Sequence, residues 1–119
     1  MNSGENKMWL DEKGILNFAP SGIHDKQQAQ TQKEMVLTYL CQVTGSLNCI
    51  IDLNNVGRPS LEARKVYNEL SNHPQIGKLA IVGMAAIAQA VATIVFGAPS
   101  GPKMSFFKTR EEAIKWLNS

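Results

Sequence analysis

The apolar residues of this chain change period repeatedly, and that alternation constrains the fold more than any other feature. Leu47 to Leu53 is a nearly continuous apolar run ending Cys49-Ile50-Ile51-Asp52-Leu53, as a strand covered on both faces should be. Leu79 to Val82 reads as a second such strand, and Met104 to Phe107 as a short third. Near the start, Met8 to Leu10 and Ile15 to Phe18 flank the turn-rich Asp11-Glu12-Lys13-Gly14, which predicts a hairpin.

Helical patterns separate these runs. Asp25 with Gln28 forms a capping box for a helix whose Ala29, Val36, Leu40 and Val43 share one face until Gly45 stops it, with Gln27 to Gln32 supplying a polar face. Ser60 can cap a second helix, striped by Ala63, Val66, Tyr67 and Leu70 and ended by His73-Pro74. Ala86 to Phe96 is a third, with Ile87, Val91, Ile94 and Val95 at core spacing. Thr109-Arg110-Glu111-Glu112 is a capping box for a last helix that buries Ala113, Trp116 and Leu117. The order is ββαβαβαβα. Right-handed crossovers then imply an α/β fold: a mixed, largely parallel sheet of about four or five strands with four helices. At 119 residues this is one domain over the whole chain, with residues 1–6 expected as a flexible tail.

From Leu79 to Pro102 the chain runs 24 residues without a charge, long enough to raise a membrane span. Gly83 divides that stretch into a strand-like and a helical part, and Gly97, Pro99, Gly101 and Pro102 break its last third. The polar start, Met1 to Lys7, does not resemble a signal peptide, so a cytoplasmic protein is expected, with peripheral membrane attachment as the variant.

Residues 1–57 carry four Lys and six acidic residues, and residues 58–119 carry eight Lys or Arg and four Glu, for a net +2. The basic residues are scattered, so no nucleic-acid partner is expected. Cys41 and Cys49 lack CxxC spacing and read as core residues, and His24 and His73 have no ligand at metal spacing. Neither a metal nor another cofactor is implied. Gly97 to Lys103 matches no phosphate-loop spacing, and Ala19-Pro20-Ser21-Gly22 lacks the acidic pair of a receiver domain.

Parallel sheets carry their functional loops at the carboxyl ends of the strands. Here Asn54–Pro59, Gly83–Ala86 and Lys108-Thr109 should meet there, gathering Asp52, Asn54, Asn55, Arg58, Ser60, Met84 and Lys108 toward one end. Asp52 reads as a turn cap, and Arg58 beside a helix N-terminus could bind an anion. Between Met84 and Phe96 the only polar side chains are Gln89 and Thr93. With Ile87, Val91, Ile94 and Val95 inward, Met84, Ala88, Ala92 and Phe96 would form an outward apolar face for a second subunit, a lipid or a membrane surface.

The order of elements, the Ile51-Asp52-Leu53-Asn54-Asn55-Val56 strand and loop, the Lys78-Leu79-Ala80-Ile81-Val82-Gly83 strand and the closing Phe106 to Leu117 segment resemble a STAS domain, the sulfate-transporter and anti-sigma-factor-antagonist fold. The likeness is greatest to the small, single-domain SpoIIAA-like branch, whose members also resemble the lipid-binding CRAL-TRIO fold. It implies a non-enzymatic regulatory module acting through a protein partner or through self-association as a dimer. Binding of an apolar ligand or membrane surface is the alternative, and a small enzyme the third choice. In anti-sigma-factor antagonists a serine opening the second helix is phosphorylated within an Asp-Ser-Ser-Gly-like motif. Nine residues beyond Asp52 lies Leu61, so Ser60 departs from that motif by one position; it remains the candidate for phosphorylation, with an N-cap as its simpler role.

Overall fold

The computed structural model describes residues 6–96 and 103–119. The expected breaks at Gly97, Pro99, Gly101 and Pro102 lie outside these residues, as does all of the expected tail but Asn6. The elements are β1 (Lys7–Leu10), β2 (Leu16–Ala19), β3 (Ser21–Gly22), α1 (Lys26–Cys41), β4 (Leu47–Asp52), β5 (Asn55–Val56), α2 (Leu61–Ser71), β6 (Ile76–Val82), α3 (Ala86–Phe96), β7 (Met104–Phe107) and α4 (Arg110–Leu117). Five strands form a sheet of order β1-β2-β4-β6-β7, with β1 antiparallel and the rest parallel. This is the mixed, mainly parallel α/β architecture with four helices that the alternating periods imply.

The hairpin forms because Asp11 organises the turn. Its Oδ1 accepts from the backbone N–H groups of Lys13 and Ile15, at 2.9 and 3.0 Å, while Gly14 takes a φ of 78° that a side chain would oppose. Both capping boxes are present, at Asp25/Gln28 and Thr109/Glu112. The short β3 and β5, which pair in parallel, were not expected, because two residues are too few to leave a periodic signal. β6 begins three residues earlier than expected, at Ile76.

Alternation along the central strands divides the core. Leu16, Cys49, Leu53, Leu79 and Ile81 pack with Val36 and Leu40 of α1 and with Val91 and Val95 of α3. Ile50, Ala80 and Val82 face the other way, against Ala113 and Leu117 of α4. Three helices thus cover one face of the sheet and a single helix the other. The short α4 leaves part of its face to a polar group: Asn17 on β2 is 2% exposed, and Arg110 reaches it from the start of α4.

Three expectations about which residues lie inside are corrected. On α3 the buried stripe is Ala88, Val91, Ala92 and Val95, while Ile87 is 41% exposed and Ile94 half-buried. Ala88 sits so close to Gly83, in the turn after β6, that a methyl added at Gly83 would overlap the Ala88 Cβ. Cys41 is exposed, because it falls beyond the stripe Ala29, Gln32, Val36 and Leu40 at the very end of α1; only Cys49 is buried. That stripe also takes Gln32 inside, although its neighbours Gln27, Gln28 and Gln30 are exposed as a polar face should be. The Gln32 Oε1 accepts no hydrogen bond among the described residues.

Candidate functional site

α2 makes its principal contacts with α1 and α3. The small residues Ala29 and Ala63 allow the α1–α2 approach, and the Asn68 Nδ2 donates to the Val95 carbonyl, at 3.0 Å, to tie α2 to α3. The space beneath α2 is incompletely filled. It forms a cavity of about 80 Å3, floored by Leu16, Phe18, Cys49, Ile51 and Leu79 of the sheet. Val36 of α1, Tyr67 and Leu70 of α2, and Val91, Val95 and Phe96 of α3 wall it, and Val56, Gly57 and Pro59 close the carboxyl end of the strands.

This is several times the ~10–15 Å3 that one water needs, but water in a cavity also needs two or more polar partners. The lining provides almost none, since its surface is nearly all hydrocarbon. Fully enclosed, an empty void of this size would cost on the order of 2 kcal/mol in lost packing; this one is partly open to the surface and costs less. An apolar molecule that fills it recovers that contact energy, so the arrangement favours occupation by hydrocarbon over water.

The polar groups in the wall are turned on one another. His24 is 3% exposed; its Nε2 lies 2.9 Å from the Asn6 Oδ1, and its Nδ1 meets the Tyr67 hydroxyl. The Asn6 Oδ1 also accepts from the Ser21 N–H at 2.8 Å, which assigns that atom as oxygen. Nε2 therefore carries the imidazole proton, and Nδ1 accepts from the Tyr67 O–H. Burial pushes the His24 pKa below its ordinary value, against opposing contributions from the Ser21 backbone and Asp25. Burial raises that of Tyr67, so both partners stay neutral near pH 7. The Cys49 thiol, also in the lining, is pushed up to about 12 by burial and is not a nucleophile there. The sequence puts Tyr67 on a core stripe and gives His24 no metal ligand at suitable spacing, so neither stands out as part of a site. They are 43 positions apart, and no local spacing announces their pairing.

The expected loop cluster assembles in part. Asp52 Oδ1 accepts from the Asn54 N–H at 2.9 Å and from its Nδ2 at 2.7 Å, the turn-capping role. Asn54 Oδ1 in turn accepts from the Met84 N–H at 3.0 Å, which joins the loops after β4 and β6. Asn55 is exposed and belongs to β5, opposite Ser21. Arg58 and Lys108 are exposed and make no hydrogen bond or ion pair among the described residues. The expected outward face of α3 does not exist as drawn: Met84 is 67% exposed, but Ala88 and Ala92 are fully buried, and Phe96 is half-buried in the cavity wall. The third helix does border an apolar pocket, through Val91, Val95 and Phe96.

Ser60 is the N-cap of α2, its Oγ accepting from the Ala63 N–H at 3.1 Å while its own N–H donates to the His24 carbonyl at 2.9 Å. Ser60→Ala should therefore cost about 1 kcal/mol, whereas Ser60→Asp, which caps equally well, should hold wild-type stability. Urea denaturation of the two variants checks this; equal losses would show that the hydroxyl does not act as the cap.

A family model described as SpoIIAA-like matches residues 15–118. Among solved structures, the chain is similar to an uncharacterised protein with a SpoIIAA-like fold from Shewanella loihica PV-4, at 18% identity and a TM-score of 0.69, over 95% of this chain and 92% of that one. No curated protein matches it. Among the described residues, no helix is long and apolar enough to cross a membrane, and no three His, Cys, Asp or Glu residues stand close enough together to hold a metal ion.

Proposed function

The chain belongs to the SpoIIAA-like family, and we propose that it acts as a non-enzymatic binding module that holds a small apolar ligand in the cavity beneath α2. The observation that carries this reading is the cavity itself: about 80 Å3 lined almost wholly by hydrocarbon in the middle of the larger core. A scaffold selected for stability alone gains by closing such a void.

Native mass spectrometry of freshly purified protein tests the reading, since it reports a retained ligand and the subunit count together. Val36→Phe should put an aromatic ring into the cavity and abolish retention while keeping or raising the thermal midpoint. Wild-type protein that carries no ligand and gains no thermal stability from small hydrocarbons would overturn it.

Docking of a protein partner through the 54–60 loop and α2 is the second reading. Its support is the exposure of Ile23, Leu61 and Met84, at 70, 59 and 67%, around that loop. Met84 is tied to the loop through Asn54, and Gly57 approaches the Ile23 side chain.

A further inference from the structure

The wall of the cavity decides which apolar ligand it can take. Three side chains with strong hydrogen-bonding groups, His24, Tyr67 and Ser71, border the space: the polar atoms of the first two meet each other and Asn6, and the Ser71 hydroxyl donates to the Asn68 carbonyl at 2.7 Å. Tyr67 presents the edge of a ring tilted against Phe18 and His24, with centroid separations of 6.2 and 5.7 Å. A ligand hydroxyl or carboxylate in the cavity would find no free partner in the His24–Tyr67 pair, because the Nδ1 lone pair is already filled by the Tyr67 O–H.

We propose that the His24–Tyr67 pair is the selectivity device of the site: it turns the polar atoms of both side chains on each other, so the cavity accepts neutral hydrocarbon groups in preference to hydroxylated or ionised ones. This rests on the reading of the cavity as a ligand site and adds the class of ligand. Tyr67 is the specificity-determining residue, since removing its hydroxyl exposes an acceptor, the His24 Nδ1, on the cavity wall. Burial of the imidazole keeps that nitrogen an unprotonated acceptor.

The probes are toluene, phenol and benzoate, which share one ring and differ in one substituent, titrated by calorimetry into the full-length protein. Wild type should bind toluene at least tenfold more tightly than phenol and show no binding of benzoate. In Tyr67→Phe the toluene-to-phenol ratio should fall at least tenfold, because the phenol O–H can then donate to Nδ1. A ratio unchanged by the substitution, or wild type that takes phenol or benzoate as well as toluene, overturns the selectivity role and leaves the ligand site standing. Wild type that binds none of the three overturns the ligand site and the selectivity role with it. The wild-type imidazole 15N shifts give a test that does not depend on the variant folding: saturation with toluene should leave the His24 tautomer unchanged. A shift of Nδ1 toward the protonated or unbonded position on toluene binding would show that the pair opens, and would overturn the proposal.

Discussion

Ala88→Lys should lower the thermal midpoint by roughly 20 °C or prevent cooperative folding, whereas Ile87→Lys, one residue earlier, should leave stability within about 0.5 kcal/mol of wild type. Ala88 has no exposed surface and lies against Gly83 in the turn after β6, so a lysine there has neither space nor a route to solvent. An unpaired buried ammonium costs roughly 4 kcal/mol or more, a large part of the stability of a domain of this size. Ile87 is 41% exposed and can carry a charge into water. Circular-dichroism melts of the two variants decide the matter. Similar losses would mean that α3 is rotated from the orientation described; a stable Ala88→Lys protein would restore an outward-facing alanine row.

The phase of α3 differs from the sequence expectation because of its composition. Where a helix carries charges on one side, they fix which side faces the core; α3 has only Gln89 and Thr93 to do so. Placing the core opposite those two selects Ile87, Val91, Ile94 and Val95. The observed stripe is turned from that by less than one residue step of ~100°, toward the smaller side chains. Close packing of Ala88 on Gly83, in the turn that leads into the helix, accompanies burial of the alanines in place of the bulkier isoleucines. Phase is a property of the partner surface, and the sequence of one helix does not contain it.

Features set by neighbours in the chain were legible for the opposite reason. Asp25 with Gln28, Ser60 with Ala63, Asp52 with Asn54 and Thr109 with Glu112 are all contacts across two or three positions, and each stands as the residue types imply. The parallel sheet followed from periodicity, which is also local. The cavity did not, because it arises where the sheet, α1, α2 and α3 meet, from residues far apart in the chain. Its residues are ordinary core residues one at a time, and only their failure to fill the space makes a site.

Asn17 is the other residue whose importance is invisible locally, and its removal should be the second large effect. It occupies a strand that reads as purely apolar, yet its Oδ1 accepts from the Arg110 Nε and Nη2 at 3.2 and 2.6 Å, across 93 positions. Its Nδ2 donates to the Asp11 Oδ2 and to the Ile15 carbonyl, both at 3.0 Å. The direct Arg110–Asp11 pair is longer, at 3.5 Å, with the Arg side chain 44% exposed, so it adds little alone. Asn17→Ala should cost about 2–3 kcal/mol at neutral pH, since it strips a buried amide from two charged partners. The pH dependence separates this from a simple packing loss. Burial would raise the Asp11 pKa, but the hydrogen bonds from Ile15, Asn17 and Lys13 and the charge of Arg110 together hold it below its ordinary 3.8. A depressed carboxylate contributes stability that is full above the unfolded value and is lost as pH falls below it. With Asn17 gone, Asp11 should titrate nearer its ordinary value and that contribution should shrink. The stability gap between wild type and Asn17→Ala, measured by urea denaturation, should therefore be wider at pH 7 than at pH 3. A gap that is equal at both, or wider in acid, would show that Asn17 acts on the strand alone and does not hold the Asp11 carboxylate.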